Sequence, residues 1–237
     1  MPVRKLVEEG LALCRDAGDT AGSAETLRHL GDMRRDRGVY DRAEELYKES
    51  LACYQSLGDR HGSAWVSHSW GEMALLQGDN PRAMELEQTS LWDFRALGVD
   101  VGIALTLLNQ GHSLQARGMA EQAASLYEQS LHLAQSLESL WLAGLCLVGF
   151  ASLSALSDHD RSGSAVERAA RLLGAAEAFV EKGGELMSHA HRVQYDRQVV
   201  AARAQLDERS FALAWAEGQA MTLEQAIAYA LEEAPDA

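Results

Sequence analysis

The sequence predicts an all-α solenoid of antiparallel helix pairs with a period of 40 residues, closed by a C-terminal helical cap. Glycine placement, columns of repeated residues and a change of pattern near residue 183 carry that prediction. Gly31, Gly71 and Gly111 lie forty apart, each inside a stretch of helical periodicity. Glycine in a helix interior costs about 1 kcal/mol against alanine, so three in one phase imply a shared packing need, most simply a second helix pressed against each. Leu6, Leu46, Leu86 and Leu126 share a column, as do Leu11, Leu51, Leu91 and Leu131. Ala43, Ala83 and Ala123, then Gly38, Gly78 and Gly118, then Ser50, Ser90 and Ser130 repeat at the same period. Such self-similarity marks an array whose units bury their apolar faces on one another.

Each unit divides into two helical patterns. In the first full unit the earlier helix is expected from Ser23 to Arg37, with Leu27, Leu30, Gly31 and Arg34 on one stripe at i, i+3, i+4 and i+7. Gly38 ends it as a C-terminal glycine does. The later helix, Asp41 to Leu57, places Ala43, Leu46, Tyr47, Ser50 and Leu51 inward, and Leu57-Gly58-Asp59 closes it. The second unit repeats this with Asp79-Asn80-Pro81, a capping residue followed by proline in the first turn.

Residues 3–18 match the later helix of a unit, so the chain opens on half a repeat with one apolar face prepared for a neighbour. Either upstream sequence is missing, or a partner covers that end, or the helix is a native cap. The fourth unit drifts: residues 158–164 lengthen its turn, and the next helix, Ala165 to Glu181, keeps the amphipathic period but loses the register. Gly183-Gly184 then breaks the chain. Helices follow near His189–Leu206 and Glu208–Gly218, and a last one is capped by Thr222 with Glu224 and Gln225 behind it. The expected organisation is a repeat array over 1–182 (half repeat 3–21, repeats 22–61, 62–101 and 102–141, divergent repeat 142–182) and a cap over 183–237.

Composition narrows the function classes. A chain of 237 residues with 47% hydrophobic content and 3 prolines is a folded protein. Its 21 basic and 35 acidic residues give a net charge of -14, which repels phosphate backbones and anionic headgroups, so neither nucleic acid nor membrane is an expected partner. Cys14, Cys53 and Cys146 are odd in number, lack metal-ligand spacing and sit among apolar helix positions, which suits a reducing cytoplasm. The uncharged run from Ser139 to Ser157 reads as a helix buried all round rather than a membrane span, because Ala151 holds the phase of the three glycines.

The glycine inside each first helix, the alanine early in the second and the closing Leu-Gly-Asp resemble the tetratricopeptide repeat, at a longer period than its usual 34 residues. Residues 38–62 (GVYDRAEELYKESLACYQSLGDRHG) look like the long-helix variants of kinesin light chains and of MalT-like sensor regions in bacterial signal-transduction ATPases. The tail segments 168–179 and 211–231 are similar to the C-terminal ends of such LuxR/AfsR-type regulators. The resemblance implies a tetratricopeptide-like right-handed superhelix that receives a partner for a bacterial, cytoplasmic, nucleotide-switched regulator. The chain itself has no G-x-x-x-x-G-K-[ST] phosphate loop and no basic recognition helix.

In that family the first-helix face beside the packed stripe lines a concave groove. Here it reads Glu25, Arg28, His29 and Asp32, then Trp65, His68, Ser69 and Glu72, then Leu105, Leu108, Asn109 and His112, then Leu145, Val148, Gly149 and Ser152. The groove grades from charged to apolar. Either the cap helices fold back over the third and fourth units or that surface is an apolar binding patch. The candidate ligand-contacting residues are Arg28, Asp32, Trp65, His68, Glu72, Leu105, Asn109 and His112. Asn109 suits a peptide amide and Trp65 offers a flat apolar contact.

Each has a plainer role open to it. Trp65 and Trp70 serve equally as packing between helices, Arg28 and Asp32 as a surface ion pair, and His189 and His191, two apart on different helix faces, as solvated side chains. No metal or other cofactor is expected, because no third ligand completes a site around His68 and His112. No nucleophile motif is present, and Glu72 beside His68 and His112 is the one grouping with catalytic residue types. The expected role is non-enzymatic: a module binding a protein, a peptide or a small effector. The alternative is a scaffold domain, self-associating as a homodimer through its N-terminal half-repeat.

Overall fold

The computed structural model describes residues 3–154 and 163–232, and these are helical in class, with twelve α-helices. They are α1 (Val3–Asp16), α2 (Thr20–Arg35), α3 (Tyr40–Ser56), α4 (Arg60–Gln77), α5 (Asn80–Leu97) and α6 (Asp100–Ala116). Then come α7 (Ala120–Ser136), α8 (Leu140–Ser154), α9 (Ser164–Gly183), α10 (His189–Gln205), α11 (Glu208–Gln219) and α12 (Leu223–Leu231). Packing divides the chain into two compact units, Met1–Asn109 and Gln110–Ala237, with the division inside α6. The lengthened turn expected at 158–164 lies mostly outside the described residues.

The turns recur every twenty residues. Gly18, Gly38, Gly58, Gly78, Gly98 and Gly118 all have positive φ, between 66° and 78°. That conformation is open to glycine without steric cost, and the seventh position in the series is taken by Glu138 at φ 51°. The aspartate of Leu57-Gly58-Asp59 does not close a helix, as the sequence suggested, but starts the next one, and Asp19 and Asp79, each after a turn glycine, do the same. The Asp59 side chain accepts from Gly62 N at 2.9 Å, and Asp79 does the same for Arg82 N at 3.1 Å. The first helix of each pair consequently begins earlier than its apolar stripe alone indicates, at Thr20 rather than Ser23.

In the first unit α2 packs on α3, α4 on α5, α1 on α2 and α3 on α4. The glycines of the first helices are indeed contact points, and what lies over them is a side chain of the paired helix sixteen residues on. A Cβ at Gly31 would come 2.5 Å from Tyr47 Cε1, and one at Gly71 would come 2.6 Å from Glu87 Oε1. Tyr47 and Glu87 are fully buried. A second small-to-large column joins successive pairs: Gly62 lies under the Tyr54 ring, and a Cβ at Gly102 would come 2.6 Å from Phe94 Cγ. Ser50 ties the pair from the other side, its hydroxyl donating to Ala24 O at 2.6 Å.

The second unit repeats the motif once and then departs from it. Tyr127 lies over Gly111, and a Cβ at Gly149 would come 2.9 Å from the same ring. Beyond that, α8 is buried along Leu142–Ser152, against α7, α9, α10 and α12. The helices after residue 183 therefore do fold over the fourth repeat, and its apolar surface is core. Helix α9 meets α8 and α11 backbone to backbone. A Cβ at Gly144 would come 2.9 Å from Ala176 O, while Gly174 abuts the Trp215 carbonyl and Gly218 the Arg171 carbonyl. Glu177 on α9 gathers the cap's polar groups, accepting from Gln219 Nε2 at 2.9 Å, Trp215 Nε1 at 3.2 Å and Tyr195 Oη at 3.3 Å. Thr222 and Gln225 form the capping box of α12. No helix among the described residues is long and apolar enough to cross a membrane.

Candidate functional site

The predicted groove face of the first helices forms a second stripe beside the packed one, and this stripe is graded in exposure rather than open throughout. Arg28, Asp32 and Trp65 are half-buried, whereas His68, Glu72, Leu105, Asn109 and His112 are buried. What buries the polar members is mutual pairing, which periodicity does not display.

Asp32 is the hub of α2. Tyr47 Oη donates to its Oδ1 at 2.8 Å, Arg35 Nη1 lies 3.2 Å from the same oxygen, and Arg28 Nη1 donates to Oδ2 at 3.3 Å. The Arg28–Asp32 contact is thus one edge of a larger network. Arg35, outside the predicted groove face, is buried and donates to Glu72 Oε2 at 2.6 Å. Burial opposes its charge, but the Glu72 and Asp32 carboxylates outweigh that and hold the guanidinium protonated. Burial likewise pushes the Tyr47 phenol well above its usual range, reinforced by Asp32.

In the next repeat the tyrosine column holds Glu87. Its Oε2 lies 3.1 Å from His68 Nδ1, and its Oε1 accepts from Asn109 Nδ2 at 2.8 Å. One carboxylate therefore joins α4, α5 and α6. Burial raises the pKa of Glu87 despite its histidine partner. For His68 burial works against the cation, and the Glu87 carboxylate more than offsets it, so its pKa also rises. Glu72 is engaged by Arg35 and His68 by Glu87, so both groups take part in the buried polar network. Among the described residues no cluster of three or more His, Cys, Asp or Glu side chains is arranged to hold a metal ion.

In the second unit His112 Nδ1 lies 2.9 Å from Tyr127 Oη, the counterpart of the Asp32–Tyr47 contact. Burial, with a smaller contribution from the neighbouring His191, pushes His112 down to about 3, so it is neutral at physiological pH. His191 is buried on α10, with the Ser188 hydroxyl 3.0 Å from its Nδ1, which corrects its reading as a solvated side chain; His189 is exposed. Cys146 is buried and its thiol is pushed up to about 12 by burial, an unreactive core position.

The accessible part of the stripe centres on Trp65. Its ring meets Phe94 edge-on with centroids 4.8 Å apart and His68 at 5.7 Å, and its Nε1 donates to His61 Nε2 at 3.2 Å. The indole is anchored at one edge and open at another. Trp70, its neighbour in sequence, is core. Trp92 is 70% exposed on α5 in a column otherwise occupied by Ala12, Ala52 and His132, a position without any periodic signal.

Comparison with known proteins agrees with this architecture. Tetratricopeptide repeat models match residues 4–91 and 106–140. No curated protein matches the chain in sequence. The crystal structure of BtubC (BKLC) from P. vanneervenii is similar, with a TM-score of 0.57 and 19% identity over 84% of this chain and 87% of that one. At that identity the likeness is one of fold. Residues 4–91 and 106–140 carry tetratricopeptide repeats, and the fold is that of a tetratricopeptide-like helical array.

Proposed function

We propose that this chain is a protein-interaction module that receives a polypeptide segment on the first-helix stripe of its N-terminal unit. Tetratricopeptide repeats generally mediate protein–protein interaction or scaffolding. The observation that carries the reading is the contrast along the stripe. Arg28, Asp32 and Trp65 retain accessible area, while His68, Glu72 and Asn109 are locked in a buried network. Contact residues held by a fixed polar layer lose little entropy on binding. Arg28 supplies a cation, Asp32 an acceptor and Trp65 a flat apolar face, a set that suits an extended peptide of mixed character. A small effector engaging the same residues, and service to a bacterial cytoplasmic regulator, are the finer parts of the proposal, the latter supported by the tail segments 168–179 and 211–231.

Selection of binding peptides from a random library against the full chain tests this. Peptides that lose affinity tenfold or more on Trp65→Ala and on Arg28→Ala are expected. Selected peptides indifferent to both substitutions reject the site.

A second reading, self-association, rests on Leu6. It is 54% exposed, whereas Leu46 and Leu86 in the same column are 4% and 8% exposed. Leu13 is exposed on the same helix, but Leu11 is buried within the unit, so the informative substitutions are Leu6→Lys and Leu13→Lys. Sedimentation velocity showing a concentration-dependent dimer lost in both variants favours this reading, and a monomer throughout the micromolar range removes it.

A further inference from the structure

We propose that the recess between α1, α2 and α3 is a binding site for a planar aromatic side chain presented by a partner polypeptide. The site is separate from the stripe of Arg28 and Trp65. The recess measures about 130 Å³ and its floor is Leu11, Leu27, Leu30 and Leu46, a cluster of buried leucines.

Its nature emerges from the next repeat. Forty residues on, the floor positions are Leu51, Ser67, Trp70 and Leu86. There the array fills the space itself: Trp70 is buried in a cluster with Leu86, and Leu51 packs against it. Cations flank that indole, with the Arg82 guanidinium carbon 5.1 Å and Lys48 Nζ 5.8 Å from the ring centroid. Arg42 is the counterpart of Arg82, and it lines the recess of the first repeat. The first repeat therefore has the apolar floor and one of the two cations, with Glu8 at the phase of Lys48 and a leucine where the second has the ring.

Size and chemistry agree with one aromatic ring. A leucine-lined cavity of about 150 Å³ takes up benzene, and a guanidinium over a ring face adds electrostatic attraction. The mouth is bordered by the ion pairs Arg15–Glu49 and Arg34–Glu8. Charged rims around an apolar floor are the anatomy of a protein–protein contact, and they offer partners to the backbone on either side of an inserted residue. A side chain carried on a polypeptide is the occupant because that is how the second repeat occupies the same position.

The test uses the full chain and two probes, indole and the blocked tripeptide acetyl-Gly-Trp-Gly-amide, followed by methyl resonances of Leu27 and Leu30. Saturable shifts with both probes are expected. Leu30→Trp, which supplies the ring internally, is expected to abolish them and to raise the Tm. Arg42→Ala leaves the floor intact and is expected to weaken binding by about threefold or more. Absence of shifts with both probes overturns the proposal, as does undiminished binding to Leu30→Trp that is folded by circular dichroism. If Leu30→Trp does not fold, Arg42→Ala decides, and unchanged affinity in that variant overturns the site. Binding of indole with exclusion of the tripeptide overturns the side-chain occupant.

Discussion

The two units solve the same problem, bringing helices together at glycine, in opposite ways. In the first, Gly31 and Gly71 make room for a side chain from the paired helix, Tyr47 or Glu87, which then reaches polar groups on neighbouring helices. In the second, Gly174 on α9 and Gly218 on α11 make room for backbone, the carbonyls of Trp215 and Arg171. A side-chain wedge can be exchanged along a column, and the array does so when tyrosine becomes glutamate at 87. A backbone contact leaves nothing to exchange. The wedge is therefore where chemistry varies from repeat to repeat, and the α9–α11 contact is where backbone meets backbone.

The sharpest way to break this comparison is Glu87→Ala. It leaves His68 and Asn109 buried without their acceptor, and loss of about 3–5 kcal/mol in urea unfolding is expected. Glu87→Tyr, which restores the column residue, is expected to cost less than Glu87→Ala; an equal or larger loss contradicts the interchangeable wedge. Next in size is Gly218→Ala, at about 3 kcal/mol, because the methyl group meets the Arg171 carbonyl and the helix must shift. Gly31→Ala meets only the edge of the Tyr47 ring and is expected to cost about 1–2 kcal/mol. Should the two alanine variants prove equally stable, the distinction between yielding and unyielding contacts is lost. Glu138→Gly is expected to gain about 1 kcal/mol, since it removes the one non-glycine residue with positive φ among the described turns.

The smallest expected effect is a slope. Glu87 and His68 both have raised pKa values in the folded chain, from ordinary values of 4.5 and 6.5. The groups facing them are Glu72 on the same first helix, Arg35 on α2 and the amide of Asn109. A folded state that binds protons more tightly than the unfolded one is stabilised at low pH and loses that contribution as pH rises. For this pair the loss begins near pH 4.5 and continues above 6.5. Unfolding midpoints measured between pH 5 and 8 are expected to fall with pH less steeply in Glu87→Gln than in the parent, and an unaltered slope places the titration elsewhere.

Much of this was legible before the structure. Column glycines, the Asp79-Asn80-Pro81 start and the Thr222 cap are local signals whose physical meaning is complete within one turn of helix. The period of forty also identified which helix faces pack, because burial on a neighbouring repeat selects the same residue types at the same phase. Exposure along the stripe was not legible, since it depends on partners far away in sequence: Arg35 with Glu72, Glu87 with Asn109, Tyr47 with Asp32. The reach of the cap helices over α8 was one of two open alternatives for the same reason.

By itself, then, the sequence determined the repeat, its register and the helix ends, all of which follow from short-range sterics and capping. Tertiary structure alone decided which polar residues became internal. A charge or hydroxyl at a given phase is tolerated inside only if a distant group completes its hydrogen bonds, and periodicity carries no record of that partner. Glu87 illustrates the difference: its column says that it faces a glycine, and only the packing of α4, α5 and α6 says that it is held there by a histidine and an asparagine.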